Sequence, residues 1–445
     1  MYRIHRLVLV CGLALSVPPA AHGQSMEELF DQLFVFGEGN EPLHLTGSAG
    51  VPATQLHGSH FIPDQSASNA SLLDFIASSI AGNVSNFPLP STVSSQTFKI
   101  VDGVPTPTST SFGPILAERA QTIGKGRLNA GANYSRLNFS SIRGVSTRDI
   151  GLTFIHTNVD FEGCDEALGA DCTDFGIPQV ENDLIALTLD LRMDAEVMAF
   201  YSTFGLTDWL DMSLAIPIVN FSMRGSSLAQ ITPSTPEAAL HFFGGTPDNP
   251  TLEARSAAID GSTTGLGDVS LRLKARVTNN EKWNFGLLGE ARAPTGRQED
   301  FLGTGDWNLR ALAIVSGELD NFSPHVNLGY QYRGSDLEQD LVEIVAGFDF
   351  LMADWVTLAV DLLGGFRMGE STLEFPEPVQ IVAPFRRTVT RTNLPDLRDD
   401  VVDGSFGFKF RTGGGVLILA NVLVALNDGG LRPDWAPTLG IEYLF

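Results

Sequence analysis

Beyond its first 23 residues the chain lacks any long apolar run, and that absence excludes one large class of membrane protein. A membrane-spanning helix needs about 20 consecutive, mostly apolar residues, whereas the mean hydropathy of this 445-residue chain is only +0.07. The sequence therefore excludes a helical membrane protein. It leaves open a membrane β-barrel, because a barrel places apolar residues at every second strand position and so keeps a modest average hydropathy.

Positive charge is also scarce. The chain has 28 Lys and Arg residues against 52 Asp and Glu residues, which gives a net charge of -24 and a pI near 4.6. Nucleic-acid binding requires a basic surface, so we predict no nucleic-acid partner. Acidic residues in surface loops have two interpretations: they bind divalent cations at a lipopolysaccharide surface, or they only keep the protein soluble.

Cysteine is rare, with three residues in the chain, one of them within residues 1–23. Residues 1–23 combine a basic start, a short apolar run and a stretch of small residues. This pattern predicts a secretory signal peptide that is cleaved near Gly23/Gln24. In an exported protein the two remaining cysteines, Cys164 and Cys172, favour a local disulfide, with two free thiols as the alternative.

What the chain does contain, from residue 125 onward, is a series of alternating segments. In residues 268–277 the odd positions are apolar and the even positions polar. Side chains of a strand point to opposite faces in turn, so each such segment predicts a strand with one apolar and one polar face. Residues 185–201 keep the alternation for longer than the 9–11 or so residues that a bilayer requires, so this strand should project beyond the membrane.

Twelve strands are predicted: 126–140, 183–204, 208–224, 265–278, 282–294, 305–317, 322–333, 340–352, 354–368, 403–412, 415–426 and 433–445. In the first, the apolar parity switches between Tyr134 and Leu137, which predicts a β-bulge. Residues 147–157 have two interpretations, a further strand or an outward extension of the first hairpin.

The connections alternate in length. Those after even-numbered strands are short, whereas those after odd-numbered strands include 141–182, 225–264 and 369–402. Short periplasmic turns that alternate with long outer loops are typical of bacterial outer-membrane barrels. All five tryptophans also stand at the starts of predicted strands, which predicts two aromatic girdles at the membrane interfaces.

The last predicted strand ends on an outward aromatic residue, Phe445. We expect it to be the closing strand of the barrel, at the end that barrel-assembly machinery reads. An open sheet edge in hydrocarbon would leave backbone groups unpaired, so the first and last strands must meet. The predicted fold is all-β: a transmembrane antiparallel up-and-down β-barrel of about twelve strands over residues 125–445, in the bacterial outer membrane.

Residues 24–124 form no domain of their own in this interpretation. They are rich in Ser, Pro, Gly and Thr, and residues 72–80 show a single helical pattern after Ser71. We predict a mostly irregular segment with one short helix, which serves as a plug in the barrel lumen or as a periplasmic leader. A poorly ordered leader is the alternative.

The polar faces of the strands supply the candidate site, a charged lumen. The predicted lumen-lining residues are Asp190, Arg192, Asp194, Glu196, Arg272, Lys274, Arg276, Glu290, Arg292, Arg310 and His325. Both signs of charge are present, which permits either a wet channel or a lumen crossed by ion pairs. No catalytic residues, metal site or cofactor are predicted, because no nucleophile, base and orienting residue come together in the sequence.

Five segments carry a resemblance to a known family. They are Ser111 to Gly126, Tyr201 to Ile218, Thr264 to Lys274, Ala293 to Asp306 and Ser323 to Tyr330. These segments resemble the outer-membrane transporter family associated with meta-cleavage phenol degradation, which is similar in layout to the fatty-acid and aromatic-hydrocarbon channels of outer membranes. The resemblance covers most of residues 111–370 and the last strand, and it supplies no mapped binding residues.

The resemblance implies passive transport of small, hydrophobic or aromatic molecules across the outer membrane. The alternative is a non-conducting structural or surface-interaction barrel whose long loops bind partners. Expected partners are outer-membrane lipid, lipopolysaccharide, the assembly machinery and a small-molecule solute. The chain is not expected to be an enzyme.

Overall fold

The computed structural model describes residues 24–36, 76–84, 91, 98–101, 104–107, 111–155, 183–233, 241–246, 248–334, 338–369, 378–381 and 386–445. The predicted signal peptide and the Cys164–Cys172 pair lie outside the described residues. Among the described residues, no helix has both the length and the apolar character needed to cross a membrane.

A closed antiparallel barrel of twelve wall strands dominates the fold, as predicted. The strands are β1 (Leu128–Ile142), β2 (Leu184–Gly205), β3 (Leu210–Thr232), β4 (Ile259–Leu266 and Val269–Arg276), β5 (Trp283–Ala293), β6 (Asn308–Gly317), β7 (Phe322–Arg333), β8 (Leu341–Ala353), β9 (Val356–Arg367), β10 (Val401–Arg411), β11 (Val416–Ala425) and β12 (Leu431–Pro433 and Trp435–Leu444).

Each strand pairs with its neighbours in chain order, and β12 closes the barrel on β1. The closing ladder runs from Leu444 opposite Asn129 to Thr438 opposite Ser135. The backbone N–H of Phe445 donates to the carbonyl of Leu128 at 2.7 Å, so pairing continues to the last residue. This closure leaves no strand edge unpaired in the wall, which is the condition for spanning hydrocarbon.

The alternation of short turns and long connections is confirmed. Short turns join β2 to β3, β4 to β5, β6 to β7, β8 to β9 and β10 to β11 at one end, and the long connections lie at the other end. We call these the turn end and the loop end. Residues 150–155 pair with the loop end of β2 from Ile150 opposite Leu189 onward, so they extend the first hairpin outward and add no wall strand.

One interruption of the wall is confined to β4. Pairing with β3 shifts between Leu266 and Ser270: the backbone N–H of Gly267 still donates to the carbonyl of Pro217 in β3 at 2.9 Å, and Asp268 leaves the ladder. The Asp268 carboxylate accepts hydrogen bonds from the backbone N–H groups of Gly296 at 3.0 Å and Thr304 at 2.9 Å. The break therefore anchors the connection between β5 and β6 to the wall.

The outer surface of the wall carries a continuous apolar belt. Leu271, Leu273, Val326 and Leu328 all face outward, and Leu328 is 53% exposed. No described part of the chain covers these side chains, although water would penalise such a large apolar surface. The belt is the surface that an outer-membrane barrel presents to lipid.

Tryptophans border this belt at both ends. Trp209, Trp283 and Trp355 are exposed beside the turn end, and Trp307 and Trp435 are exposed toward the loop end. Indole rings favour the membrane interface, where the ring is shielded while its N–H group reaches polar groups. The two predicted aromatic girdles are therefore confirmed.

Toward the loop end, the two faces of β2 exchange their polarity. Leu187 through Val197 are buried at odd positions on the inner face, where Leu191 and Gly225 of β3 meet Leu33 of the N-terminal segment. The even positions lie on the outer face, on which Phe200 is also exposed. The side chain of Arg192, at one of these positions, is 56% exposed.

The assignment of Asp190, Arg192, Asp194 and Glu196 to the lumen is therefore wrong. A strand that projects beyond the bilayer has water on its outer face, so its charged residues face outward and its apolar residues pack inward. The same exchange explains the parity switch in β1. The predicted bulge is absent on the side of β2, with which β1 pairs in continuous register from Leu128 to Phe139, whereas the pairing of β1 with β12 shifts by one residue between Ser135 and Phe139.

The remaining elements are short. A helix α1 (Met26–Asp31) begins with a capping box in which Ser25 and Glu28 cap each other, and a 3-10 turn (Gln32–Phe34) follows it. Residues 76–84 are helical, which overlaps the end of the predicted helix. A 3-10 turn at Gln298–Asp300 and further small strands complete the described elements: Phe98–Val101, Val104–Pro107, Val145–Ser146, Ile150–Ile155, Gly244–Thr246, Asn249–Thr251, Glu253–Arg255, Val379–Ile381 and Arg387–Val389.

Candidate functional site in the barrel lumen

Residues 111–124, here called the lumen segment, run inside the barrel without regular secondary structure. Their buried backbone amides need partners, because no neighbouring strand supplies carbonyls to them. Inward side chains of four strands take this role. The backbone N–H of Phe112 donates to Thr357 of β9 at 3.1 Å, and that of Glu118 donates to Asn327 of β7 at 2.7 Å. The backbone N–H of Ala120 donates to Ser316 of β6 at 3.1 Å, and that of Ile123 donates to Asp211 of β3 at 3.0 Å.

Close approach of the lumen segment to the wall depends on wall glycines, of which Gly286 is one. A Cβ atom placed on Gly286 of β5 would lie 3.0 Å from the Cα of Ala120. Any larger residue would push the lumen segment away from the wall. The segment is therefore packed against the barrel, and it occupies the half of the lumen nearest the turn end.

Glu118 of the lumen segment joins a buried charge cluster on the inner wall. Its carboxylate lies 3.7 Å from the Arg272 guanidinium and 3.4 Å from the Lys274 ammonium group. Its backbone carbonyl also accepts a hydrogen bond from the Asn327 amide at 2.9 Å. Glu118 thus neutralises two cations that would be costly to bury alone.

A second carboxylate, Glu290 of β5, holds the rest of this cluster together. It contacts Arg272 at 3.0 Å, Arg292 at 2.8 Å and Arg310 at 3.4 Å, and Arg310 also contacts Glu343 at 2.7 Å. The arginines come from alternate positions of adjacent strands, whose side chains stand side by side on one face of a sheet.

A third group fastens the lumen segment on the opposite side of β7. The Arg119 guanidinium lies 3.1 Å from the Asp349 carboxylate, and Ser111 also donates a hydrogen bond to Asp349. His325 lies between two carboxylates, 3.6 Å from Asp349 and 2.6 Å from Asp361. Arg119 and Asp349 are both buried, so the pair is shielded from water and from salt.

Above the lumen segment, toward the loop end, lies a cavity of about 220 Å³. Its floor includes Leu116 and Glu118, and residues 78–83 of the second helical stretch border it. A cavity of about 150 Å³ is enough to hold benzene in a protein interior. The cavity is therefore large enough for one small aromatic molecule.

The structure divides the sequence-predicted lumen residues into two groups. The structure places Arg272, Lys274, Glu290, Arg292, Arg310 and His325 on the inner face, and Arg276 is half-buried there near the turn end. Arg276 donates a hydrogen bond to the carbonyl of Asp208 at 2.9 Å. The four acidic and basic residues of β2 lie on the outer face, as described above.

Several residues of the site were missed. Glu118 and Arg119 lie in a segment without strand alternation, so no periodic signal could place them inside the barrel. Arg333 and Arg367 could have been found, because they continue the inward parity of His325 in β7 and of Asp361 in β9.

Comparison with known proteins gives a family match over part of the chain. Residues 183–345 match the model of the family described as "Putative MetA-pathway of phenol degradation". No curated protein matches the chain in sequence.

Solved structures of similar barrels are more distant. An outer membrane channel from Pseudomonas putida F1 is 10% identical, over 73% of this chain and 98% of that chain, with a TM-score of 0.42. A FadL homologue from Pseudomonas aeruginosa is 11% identical over 72% and 90%, and the P. putida toluene transporter TodX is 7% identical over 72% and 90%, both with a TM-score of 0.32. Likeness at this level carries no argument about function. The family resemblance read from the sequence is, in contrast, confirmed over residues 183–345, from the start of β2 into β8.

Proposed function

We propose that this protein is an outer-membrane channel for the passive transport of small, hydrophobic or aromatic molecules. The observation that carries the proposal is a cavity of about 220 Å³ inside a closed barrel with an outward apolar belt. The belt supports insertion in a bilayer, and the cavity supports a solute site along the barrel axis. The match to the phenol-degradation family favours aromatic solutes.

The lumen segment sets the condition for transport. It fills the lumen between the cavity and the turn end, and the described residues show no strand pairing for it. Most of its polar contacts with the wall are hydrogen bonds and ion pairs to side chains, and Ala120 packs against Leu288 and Leu312. Side-chain contacts can exchange with water one at a time, whereas a strand ladder cannot. We therefore expect the segment to move aside locally while the barrel stays closed.

A permeation measurement tests the proposal. Liposomes that contain the purified full-length protein should pass water-soluble aromatic solutes such as benzamide faster than liposomes that contain the heat-unfolded protein. The rate should fall with solute size, because the cavity accepts a single ring. If no tested solute crosses faster, the packed lumen segment supports the alternative, a non-conducting barrel that acts through its surface loops.

A further inference from the structure

The wall of the cavity has a mainly apolar half and a charged half. The apolar half comes from β9 to β12 and β1, with Leu363, Val401, Leu423, Ala436 and Leu137, and it is bordered toward the loop end by Arg367, Asp403 and Arg432. The charged half carries Arg272, Arg292, Arg310 and Arg333 of β4 to β7, together with the carboxylates of Glu118 and Glu343. A ligand that fills this cavity should therefore have an apolar side and accept hydrogen bonds from any arginine whose donors stay unused.

Two arginines near the loop end of the cavity keep unused hydrogen-bond donors, and Arg367 is the less completely paired of the two. Among the described residues, no carboxylate lies within 4.0 Å of the Arg367 guanidinium, unlike the other arginines that line the cavity. Its Nε group donates only a long hydrogen bond of 3.4 Å to the carbonyl of Asp399. Arg333 is 8% exposed, and its Nε group has no hydrogen-bond partner among the described residues.

The two side chains are placed to act together. Arg333 ends β7 and Arg367 ends β9, and the start of β8 lies between them, with Leu341 directly opposite Arg367. Glu338 lies 3.5 Å from Arg333.

Asp399 and Asp400 lie beside Arg367, but their carboxylates are already paired with Arg143 at 2.8 Å and Arg398 at 3.0 Å. Arg367 is thus the cation of this group that has no carboxylate partner among the described residues, and a half-buried cation with unused donors is unfavourable until an anion joins it.

The chemistry of guanidinium groups narrows the choice of anion. A planar fork of N–H donors matches a carboxylate with two parallel hydrogen bonds. An inorganic anion would satisfy the arginines but would leave the apolar half of the cavity empty. A neutral hydrocarbon would fill the apolar half but would leave the donors unpaired. A small organic acid satisfies both halves.

We propose that this cavity is a binding site for a small aromatic carboxylate, with its carboxylate on Arg333 and Arg367 and its ring against Leu363, Val401 and Leu423. The proposal rests on the proposed function, since it names the substrate class of the same channel. The net charge of the chain is -24, so the acidic surface would repel an anionic solute. The arginines inside the barrel would instead attract the carboxylate of that solute.

Calorimetric titration of the full-length protein in detergent tests this assignment with benzoate and benzamide, which match in size and differ in charge. Benzoate should bind at least about tenfold more tightly than benzamide, as expected for a charge-assisted bidentate contact. In Arg367→Gln this preference should disappear through loss of benzoate affinity, while benzamide affinity stays within about twofold. Arg367→Lys should retain part of the preference, because it keeps the charge and loses the fork.

A matched control is Arg192→Gln, which removes an arginine from the outer face of the wall, where the side chain is 56% exposed. It should change neither affinity. Heat-dependent gel mobility of each variant shows that the barrel is folded. Equal benzoate affinities in the wild type and Arg367→Gln would overturn the site, as would equal affinities of the wild type for the two ligands. Liposomes that pass no solute, together with Arg367-dependent benzoate binding, would instead overturn transport and leave the binding site standing.

Discussion

At the scale of single residues, Glu290 is the carboxylate on which the inner wall depends most. Its side chain is only 2% exposed, and it contacts Arg272, Arg292 and Arg310. Removing one member of a buried ion cluster leaves the others without compensation, at a cost of about 3–5 kcal/mol. Glu290→Gln should therefore lower the stability of the barrel by this amount, measured as a shift in the midpoint of urea unfolding in detergent.

The control for this prediction is Glu281→Gln in the exposed turn between β4 and β5. It removes the same charge where water already screens it, so the midpoint should stay nearly unchanged. If the two variants unfold at the same urea concentration, the arginine cluster does not depend on Glu290.

The same cluster shows which of its side-chain positions could be predicted from the sequence. Alternation placed Arg272 and Arg310 on the inner face, because side-chain direction in a strand follows from position alone. Glu118, the partner of Arg272, could not be placed, because it lies in an irregular segment far away in the chain. An ion pair between residues so far apart in the sequence forms only once the barrel has closed, and a local sequence pattern cannot predict it.

At the scale of elements, the lumen segment is the part whose movement would control permeation. Arg119 fastens it to β8 through Asp349 at 3.1 Å, and both side chains are buried. Arg119→Gln breaks this ion pair and weakens the anchoring while the wall ladders stay intact. We expect liposomes with this variant to pass benzamide several-fold faster than those with the wild type, because a local opening weakened by about 1.4 kcal/mol becomes about ten times more populated.

Arg136→Gln serves as the comparison. Arg136 pairs with Asp194 at 3.5 Å on the outer face, where its side chain is 57% exposed, so permeation should match the wild type. A rate for Arg119→Gln that equals the wild-type rate would show that the lumen segment does not limit the flow.

The elements also show why part of the sequence interpretation failed. In β2 the alternation correctly predicted a long strand that projects beyond the bilayer, but alternation does not state which face is inside. Within the membrane the apolar face looks outward to lipid, and beyond it the apolar face looks inward to the N-terminal segment. Phe200 and Leu191 lie on opposite faces of the same strand for this reason.

At the scale of the whole molecule, the apolar belt separates a lipid-facing zone from a water-facing zone on one continuous wall. Leu271 lies in the belt, and Thr188 is exposed on the outer face of β2 near the loop end. The strand count, the turn lengths and the aromatic girdles that predicted this arrangement were all readable in the sequence, because lipid imposes the same periodic demand on every strand. The height at which the belt ends was not readable, since it depends on how far β2 and β3 extend.

A pair of arginine substitutions tests the boundary between the two zones. Leu271→Arg puts a charge among lipid tails and should destabilise the membrane-inserted barrel by about 2–4 kcal/mol if the residue lies near the midplane. Thr188→Arg adds the same side chain where water surrounds it and should cost less than about 1 kcal/mol. Reversible unfolding of both variants from lipid vesicles gives the two values. Equal costs at the two positions would mean that the belt does not meet lipid, and the membrane placement of the barrel would then be wrong.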